Sequence, residues 1–403
     1  MYRKYVRNII KVFLSSGLAQ IISVIGTALL ARLFLPEEFA EYGIYTALNA
    51  ILLTFATARL DMALIQFDER TDWIDLICTS LYFLLIISVI TFLILNFLPF
   101  EDLTPLLSLL VAGGVVISGL NKNYSNLLMS QQNYNALGVV RVIEASLFVI
   151  IAITVELAFD VDYILIFSTI LSQLVAIIIA IYISNLKISL ISLSKAFKTL
   201  ERNREYVVLD SFSSMLNTLS RQLPALILPF ILNLNSAGLY FFAHKLLAMP
   251  TALVSNSIGN VFRKTATLEY KNTGSLKRIY TFTLRWQSIL ACLGVVLFYT
   301  MITENHILYL FGDNWFGVYE VLRVLIIGFA VKFLVSPLTF IFYIVKRLEI
   351  NLFGQSIFLL LTVVALTICY ALDLSLIPTS IVLVISQVAV YAIYFFLTLW
   401  LLK

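Results

Sequence analysis

Apolar residues run along this chain in blocks of about twenty, separated by short polar or proline-bearing gaps. A helix rising about 1.5 Å per residue needs roughly 20 largely apolar residues to cross a bilayer core of about 30 Å. Twelve blocks reach that length: 12–33, 42–66, 73–98, 103–121, 137–158, 163–184, 207–232, 237–262, 281–302, 317–345, 350–372 and 378–402. LFLPEEF at 33–39 and LPFEDLTP at 98–105 punctuate the series, whereas Pro224, Pro229, Pro250 and Pro337 fall inside blocks. An interior proline is tolerated in lipid where a neighbour or water takes up the carbonyl it frees, at an ordinary packing kink or beside a cavity. The pattern predicts an all-α polytopic membrane protein of about twelve transmembrane helices, with no soluble domain.

Composition agrees. Of 403 residues, 61% are hydrophobic and only 12% charged, against about 45–50% and about 25% in soluble domains. The formal charge of +4 is too small and dispersed for nucleic-acid binding, so no nucleic-acid partner is expected. Cys78, Cys292 and Cys369 lie far apart in apolar stretches. They read as small hydrophobes, not as a disulfide or metal framework, and no cofactor is expected. Arg3, Lys4, Arg7 and Lys11 precede the first block, which is too long for a secretory signal and ends in no small-residue cleavage site.

Charge orients the chain, because short cytoplasmic loops collect Lys and Arg. With the N-terminus inside, nineteen loop cations fall on that side and only Arg32 on the other. Both termini are then cytoplasmic. The acidic run DERTDWID at 68–75 is the exception, an inner loop with no evident reason to be acidic.

An internal repeat accompanies this topology. AEYGIYTA at 40–47 and NSAGLYFFA at 235–243 each put Gly-x-Tyr at the start of an even-numbered helix; NALG at 135–138 and NLFG at 351–354 open spans 5 and 11. Each pair lies about half a chain apart, at six helices' distance. Six helices return the chain to the same side, which predicts two parallel six-helix lobes: 1–184, then a cytoplasmic linker 185–206, then 207–403.

The stretch SGLAQIISVIGTALLARLFLPEEFAEYGIYTALNAILLTFATARLDMALIQ, with AGLYFFAHKLLAMPTALVSNSIGNVF at 237–262 and ILYLFGDNWFGVYEVLRVLIIG at 307–328, resembles the polysaccharide-biosynthesis membrane proteins, the Wzx-type O-antigen flippases of the MATE-like MOP superfamily. Two positions depart from the family's pattern: Ala40, where Gly is common, and Arg221-Gln222, near a place often acidic. The resemblance implies a V-shaped, two-lobed transporter with a central cavity in the bacterial cytoplasmic (inner) membrane. It also implies a partner set: undecaprenyl-diphosphate-linked oligosaccharide, membrane lipids and other polysaccharide assembly proteins.

A diphosphate headgroup calls for cations at membrane depth. Seven Lys or Arg fall within spans: Arg59, Arg141, Arg221, Lys245, Arg285, Arg323 and Lys332. A cation at a helix centre costs about 2.5–3.5 kcal/mol on insertion scales, so it must face water or a partner. Arg221 and Lys332 fall near the midplane; Lys245 and Arg59 lie about 10–12 Å from an end, within partial reach of the interface. Arg141 and Arg285 sit close enough to the boundary to snorkel, and Arg323 can pair with Glu320. Arg59, Arg221, Lys245 and Lys332 are therefore the candidate cationic cavity, Arg binding phosphate through paired donors and Lys as a point charge. The competing reading pairs each with an interhelical acid such as Asp61, Asp210 or Glu156. His244, Asp61 and Asp210 are candidates for ion coupling, His244 through titration near neutral pH. Trp73, Trp315 and Trp400 lie near span ends and fit interfacial belts.

An enzyme would need a catalytic loop. The longest outer loop, 303–316, offers only Glu304, His306 and Asp313, with no metal-ligand spacing, nucleophile elbow or phosphate loop anywhere. A cation-driven drug exporter of the same superfamily would centre on mid-span acids, and here cations stand out. A lipid II flippase stays open as an alternative function.

Overall fold

The structure is a computed structural model that describes residues 2–64, 69–97, 104–159, 161–186, 191–204, 207 and 211–402, with side chains from Gly17 onward except at 256, 260 and 348. Among the described residues it is entirely helical. In chain order the helices are α1 Tyr2–Ala31, α2 Pro36–Ala56, α3 Leu60–Ala63, α4 Arg70–Phe97, α5 Pro105–Ser130, α6 Tyr134–Ala158, α7 Ile164–Ser184 and α8 Leu193–Arg202. There follow α9 Ser211–Ile231, α10 Leu234–Thr273, α11 Lys277–Met301, α12 Glu304–Phe311, α13 Val318–Val335, α14 Ile341–Ile344, α15 Leu348–Ala371 and α16 Leu376–Trp400.

Among the described residues, ten helical stretches are long and apolar enough to cross a membrane, α13 and α14 forming one of them. Two more complete the twelve: α1, apolar over Gly17–Ala31, and α9, which carries a polar stripe of Ser214, Asn217, Thr218, Arg221 and Gln222 along one face.

Several boundaries differ from the pattern-based ones for identifiable reasons. LPEEF opens α2 instead of forming a gap: Pro36 stands at the first helical position, Glu37 and Glu38 occupy the first turn, and the Leu35 N–H donates to Glu38 at 2.7 Å. The second span breaks at Thr57–Arg59, where Ala58 and Arg59 both take left-handed backbone (φ 47° and 55°) before the short α3. In the fourth span, α5 runs on to Ser130, which brings Lys122 inside a helix. The tenth is interrupted by a 3-10 turn, Ser336–Phe340, containing Pro337. α10 is the longest helix at 40 residues, about 60 Å at 1.5 Å per residue and so roughly twice the hydrocarbon thickness.

The chain divides into two compact units, residues 1–33 with 41–218, and 34–40 with 219–403. Within the first, α4 packs on α5, α5 on α7 and α6 on α7. Within the second, the helices at the corresponding places do the same: α11 on α13, α13 on α16 and α15 on α16. Close crossings use small residues, as expected where lipid supplies no hydrophobic drive between helices. A side chain at Gly26 would run into Val149, and one at Gly328 into Gln387.

The first span of each unit is one place where the pattern does not hold. α1 packs along α6, whereas α9 has little close backbone contact with any other helix. In the second unit, Phe39, Phe242, Phe311 and Trp315 form a buried aromatic cluster, with Phe242 and Trp315 stacked at 3.9 Å. Trp315 is thus a core residue and not part of an interfacial belt; Trp400 is exposed.

Candidate substrate cavity

Because α9 stands off from its neighbours, a cavity of about 340 Å³ opens within the second unit between α9, α10, α13, α15 and α16. Helical periodicity brings the lining to it. Tyr240, His244, Ala248, Thr251, Ala252 and Ser255 form one face of α10, and Leu383, Gln387 and Tyr391 recur every four residues on α16. Small and hydroxyl-bearing residues on these faces leave room and supply hydrogen bonds. Pro224, one of two prolines inside α9, lines the cavity beside Ser220 and Arg221, and lacking an N–H it cannot continue the helical hydrogen-bond ladder there.

Into this space project Arg221 from α9 and Lys332 from α13, with His244 from α10. Among the described residues no carboxylate lies within salt-bridge distance of Arg221 or Lys332, and none lines the cavity. Lys332 lies over the ring of Phe329 at 5.0 Å, and His244 is held between Tyr240 (6.3 Å) and Phe329 (5.0 Å). Two like charges converge on a polar space, which suits an anion with several acceptor oxygens.

The other sequence-predicted residues lie elsewhere. Lys245 is next to His244 on α10 but points toward Phe39, 5.7 Å from the ring centroid, and is not among the lining residues. Arg59 and Asp61 belong to the first unit, at the break in the second span. Asp61 is fully buried: Thr57 Oγ1 donates to it at 2.8 Å, and Lys122 Nζ pairs with it at 3.0 Å. Asn126 Nδ2 donates to its backbone carbonyl at 2.9 Å. These bonds hold Asp61 at the break in the second span. Asp210 lies outside the described residues.

Spacing alone missed a polar region in the first unit. Asn49 Nδ2 donates to Ser118 Oγ at 2.8 Å, Ser118 Oγ to Gln173 Oε1 at 2.7 Å, and Asn121 Nδ2 to Glu144 at 3.1 Å. Glu144 is an acid ten residues into α6, about 15 Å along the helix. Its signal in the sequence is Arg141 one turn away. Two acids of DERTDWID have partners. Asp75 pairs with Lys195 at 2.6 Å and Asp72 with Arg202 at 2.8 Å; from Arg70 onward this run is the start of α4 and not an inner loop, and its acids anchor α8.

Known proteins agree with this architecture. A family model described as polysaccharide biosynthesis protein matches residues 29–320. No curated protein sequence matches the chain. Among solved structures, an inward-facing multidrug resistance MATE family transporter of the MOP superfamily is similar with a TM-score of 0.73 at 16% identity, covering 95% of this chain and 94% of that one. The lipid II flippase MurJ, in an inward closed conformation, is similar with a TM-score of 0.72 at 12% identity, covering 96% and 87%. A MOP superfamily transporter from Pyrococcus furiosus, described by the reverse polarity of its binding pocket, has a TM-score of 0.64 at 16% identity, covering 98% and 95%. At these identities the structural likeness establishes the fold. Matched by the family model over most of its length and folded like MOP superfamily transporters, the chain belongs to the polysaccharide biosynthesis protein family of multi-pass membrane proteins.

Proposed function

We propose that this protein flips an undecaprenyl-diphosphate-linked oligosaccharide, an O-antigen or capsule repeat unit, across the bacterial cytoplasmic membrane by alternating access. It has no enzymatic step: the substrate leaves chemically unchanged. The observation that carries the reading is the cavity lined by Arg221 and Lys332 with no carboxylate among its described lining residues. A diphosphate brings charge that these cations match and acceptor oxygens for the surrounding hydroxyls and amides. The glycan is hydrated by the same polar lining, while the polyprenyl tail stays in lipid. The six-helix lobes 1–184 and 207–403 move about the linker 185–206, with both termini cytoplasmic. Membrane lipids and other polysaccharide assembly proteins are its partners.

The drug-exporter reading is less favoured because a lipophilic cation would meet two positive charges in this cavity. The test is Arg221→Ala in cells whose surface glycan depends on the protein. Surface glycan should fall strongly while the protein stays abundant in the membrane. Normal glycan with abundant Arg221→Ala protein would sink the proposal.

A further inference from the structure

The linker helix α8 is amphipathic in a way that packing against the first unit does not use up. Ser192 caps its N-terminus, accepting from the Lys195 N–H. Ala196 packs beside Cys78 and Ile191, against Ile74 and Tyr82 of α4, and Tyr82 Oη donates to the Ile191 carbonyl at 2.6 Å. Yet Leu193 and Phe197, one turn apart, are 63% and 69% exposed.

At about 100° per residue, Leu193 and Phe197 share one side of α8, and Lys195 and Arg202 lie on roughly the opposite side. That opposite side is fixed. Its two cations pair with Asp75 and Asp72, in the first turns of α4, the charged end of an otherwise apolar span. The Ile191 carbonyl reaches Tyr82, farther along α4 and so deeper. A helix whose cationic side is pinned to the aqueous end of a span, with its preceding residue bonded deeper, turns its apolar side toward the hydrocarbon.

We infer that α8 lies in the membrane interface, with Leu193 and Phe197 inserted among the upper acyl chains of the adjoining leaflet and the Lys195–Asp75 and Arg202–Asp72 pairs on the water side. The partner of this surface is the phospholipid bilayer. Inserted to about 5–10 Å, as interfacial helices are, α8 tethers the segment between α7 and α9 to the leaflet.

Spin labelling of the full-length protein in phospholipid vesicles tests this. Cys292, the exposed native thiol, is replaced by Ser; Cys78 and Cys369 are buried. Labels are then placed through Leu193→Cys, Phe197→Cys and, as a water-facing control nearer the cationic side, Lys198→Cys. Collision with oxygen, which concentrates in lipid, is compared with collision with a water-soluble nickel chelate. The oxygen-to-nickel ratio at Leu193→Cys and Phe197→Cys should exceed that at Lys198→Cys several-fold. Equal ratios at the three sites would overturn the inference. So would dipolar broadening at Phe197→Cys that fades on dilution with unlabelled protein, because the apolar face would then meet a second copy. Labelling two apolar positions keeps the test open if one substitution perturbs the helix.

Discussion

The side-chain amide of Gln287 donates to the backbone carbonyl of Phe333 at 3.0 Å, in a place where Gln287 is wholly buried. Phe333 is the residue whose carbonyl the position-337 N–H would serve in a continuous helix, and Pro337 has no N–H. A side chain from α11 thus replaces the missing backbone donor of the tenth span, one residue past Lys332. Gln287→Leu should lower stability by about 1–2 kcal/mol, the usual cost of leaving a buried acceptor unmade. Adding Pro337→Ala, which returns a backbone donor, should make the same change nearly neutral. Thermal melting of the two single variants and the double variant in detergent reads the coupling; additive effects would show that Gln287 does not serve this carbonyl.

The Asp61–Lys122 pair makes an asymmetric prediction. Lys122→Met leaves a carboxylate with no exposure beside an apolar side chain, whereas in Asp61→Asn the lysine, 32% exposed, can still reach water. Breaking a buried pair costs about 3–5 kcal/mol, and the partial exposure of Lys122 reduces that. Membrane abundance should therefore drop more for Lys122→Met than for Asp61→Asn, and the double variant should recover toward Asp61→Asn. Equal loss in both single variants would contradict this account.

Two consecutive left-handed residues without glycine store strain at the end of α2. Left-handed backbone costs an ordinary L residue roughly 1 kcal/mol, while glycine adopts it freely. Ala58→Gly should be neutral or stabilising by up to about 1 kcal/mol, although glycine in a helix interior normally destabilises by about that amount. A clear fall in melting temperature would mean that the buried methyl group of Ala58 matters more than its backbone.

The charge of the cavity can be tested without removing either cation. Ser386 lines it from α16. Ser386→Asp would place a carboxylate before Arg221 and Lys332 and compete with an anionic substrate, so surface glycan should fall at unchanged protein level. Ser386→Asn, of similar size but neutral, should keep most export. If both variants export alike, the sign of the cavity's charge is not what selects the cargo.

Asp72→Asn and Asp75→Asn together should loosen α8. Each pair is half exposed on its basic side, Lys195 at 53% and Arg202 at 60%, so each contributes about 0.2–1 kcal/mol. Limited proteolysis at the linker should quicken several-fold in the double variant while the melting temperature barely moves. Unchanged cleavage would show that apolar packing alone holds the helix.

Hydropathy made the helices legible because lipid imposes a minimum apolar length on every span. Their ends were less so. Lys122 reads as a loop residue only if a span is assumed to stop at its first charge; α5 continues because Asp61 waits for that charge on a neighbouring segment. The break at Thr57–Arg59 carries neither Gly nor Pro, and tertiary bonds to Asp61 and its carbonyl, not local propensity, hold it open. Depth along a helix identified Arg221 and Lys332 as costly to leave in lipid. It could not show that residues 111 positions apart share one cavity, nor that Lys245, one residue past His244, turns to Phe39 instead. Glu144 was overlooked because its hydrogen-bond partners, Asn121 and Gln173, are polar residues of ordinary appearance in any helix.

The length of α10 has a practical side. Its final turns are braced where Phe262, Ala266 and Tyr270 pack with Leu276 and Tyr280. Beyond them the chain reverses at Gly274, in left-handed backbone with open space around it, flanked by the exposed residues 271–275. A 45.5 kDa protein hidden in a detergent belt offers electron microscopy little to align on. An antibody epitope or small rigid domain grafted at this reversal would sit on a stiff stalk clear of the belt, a fiducial whose orientation reports directly on the second unit.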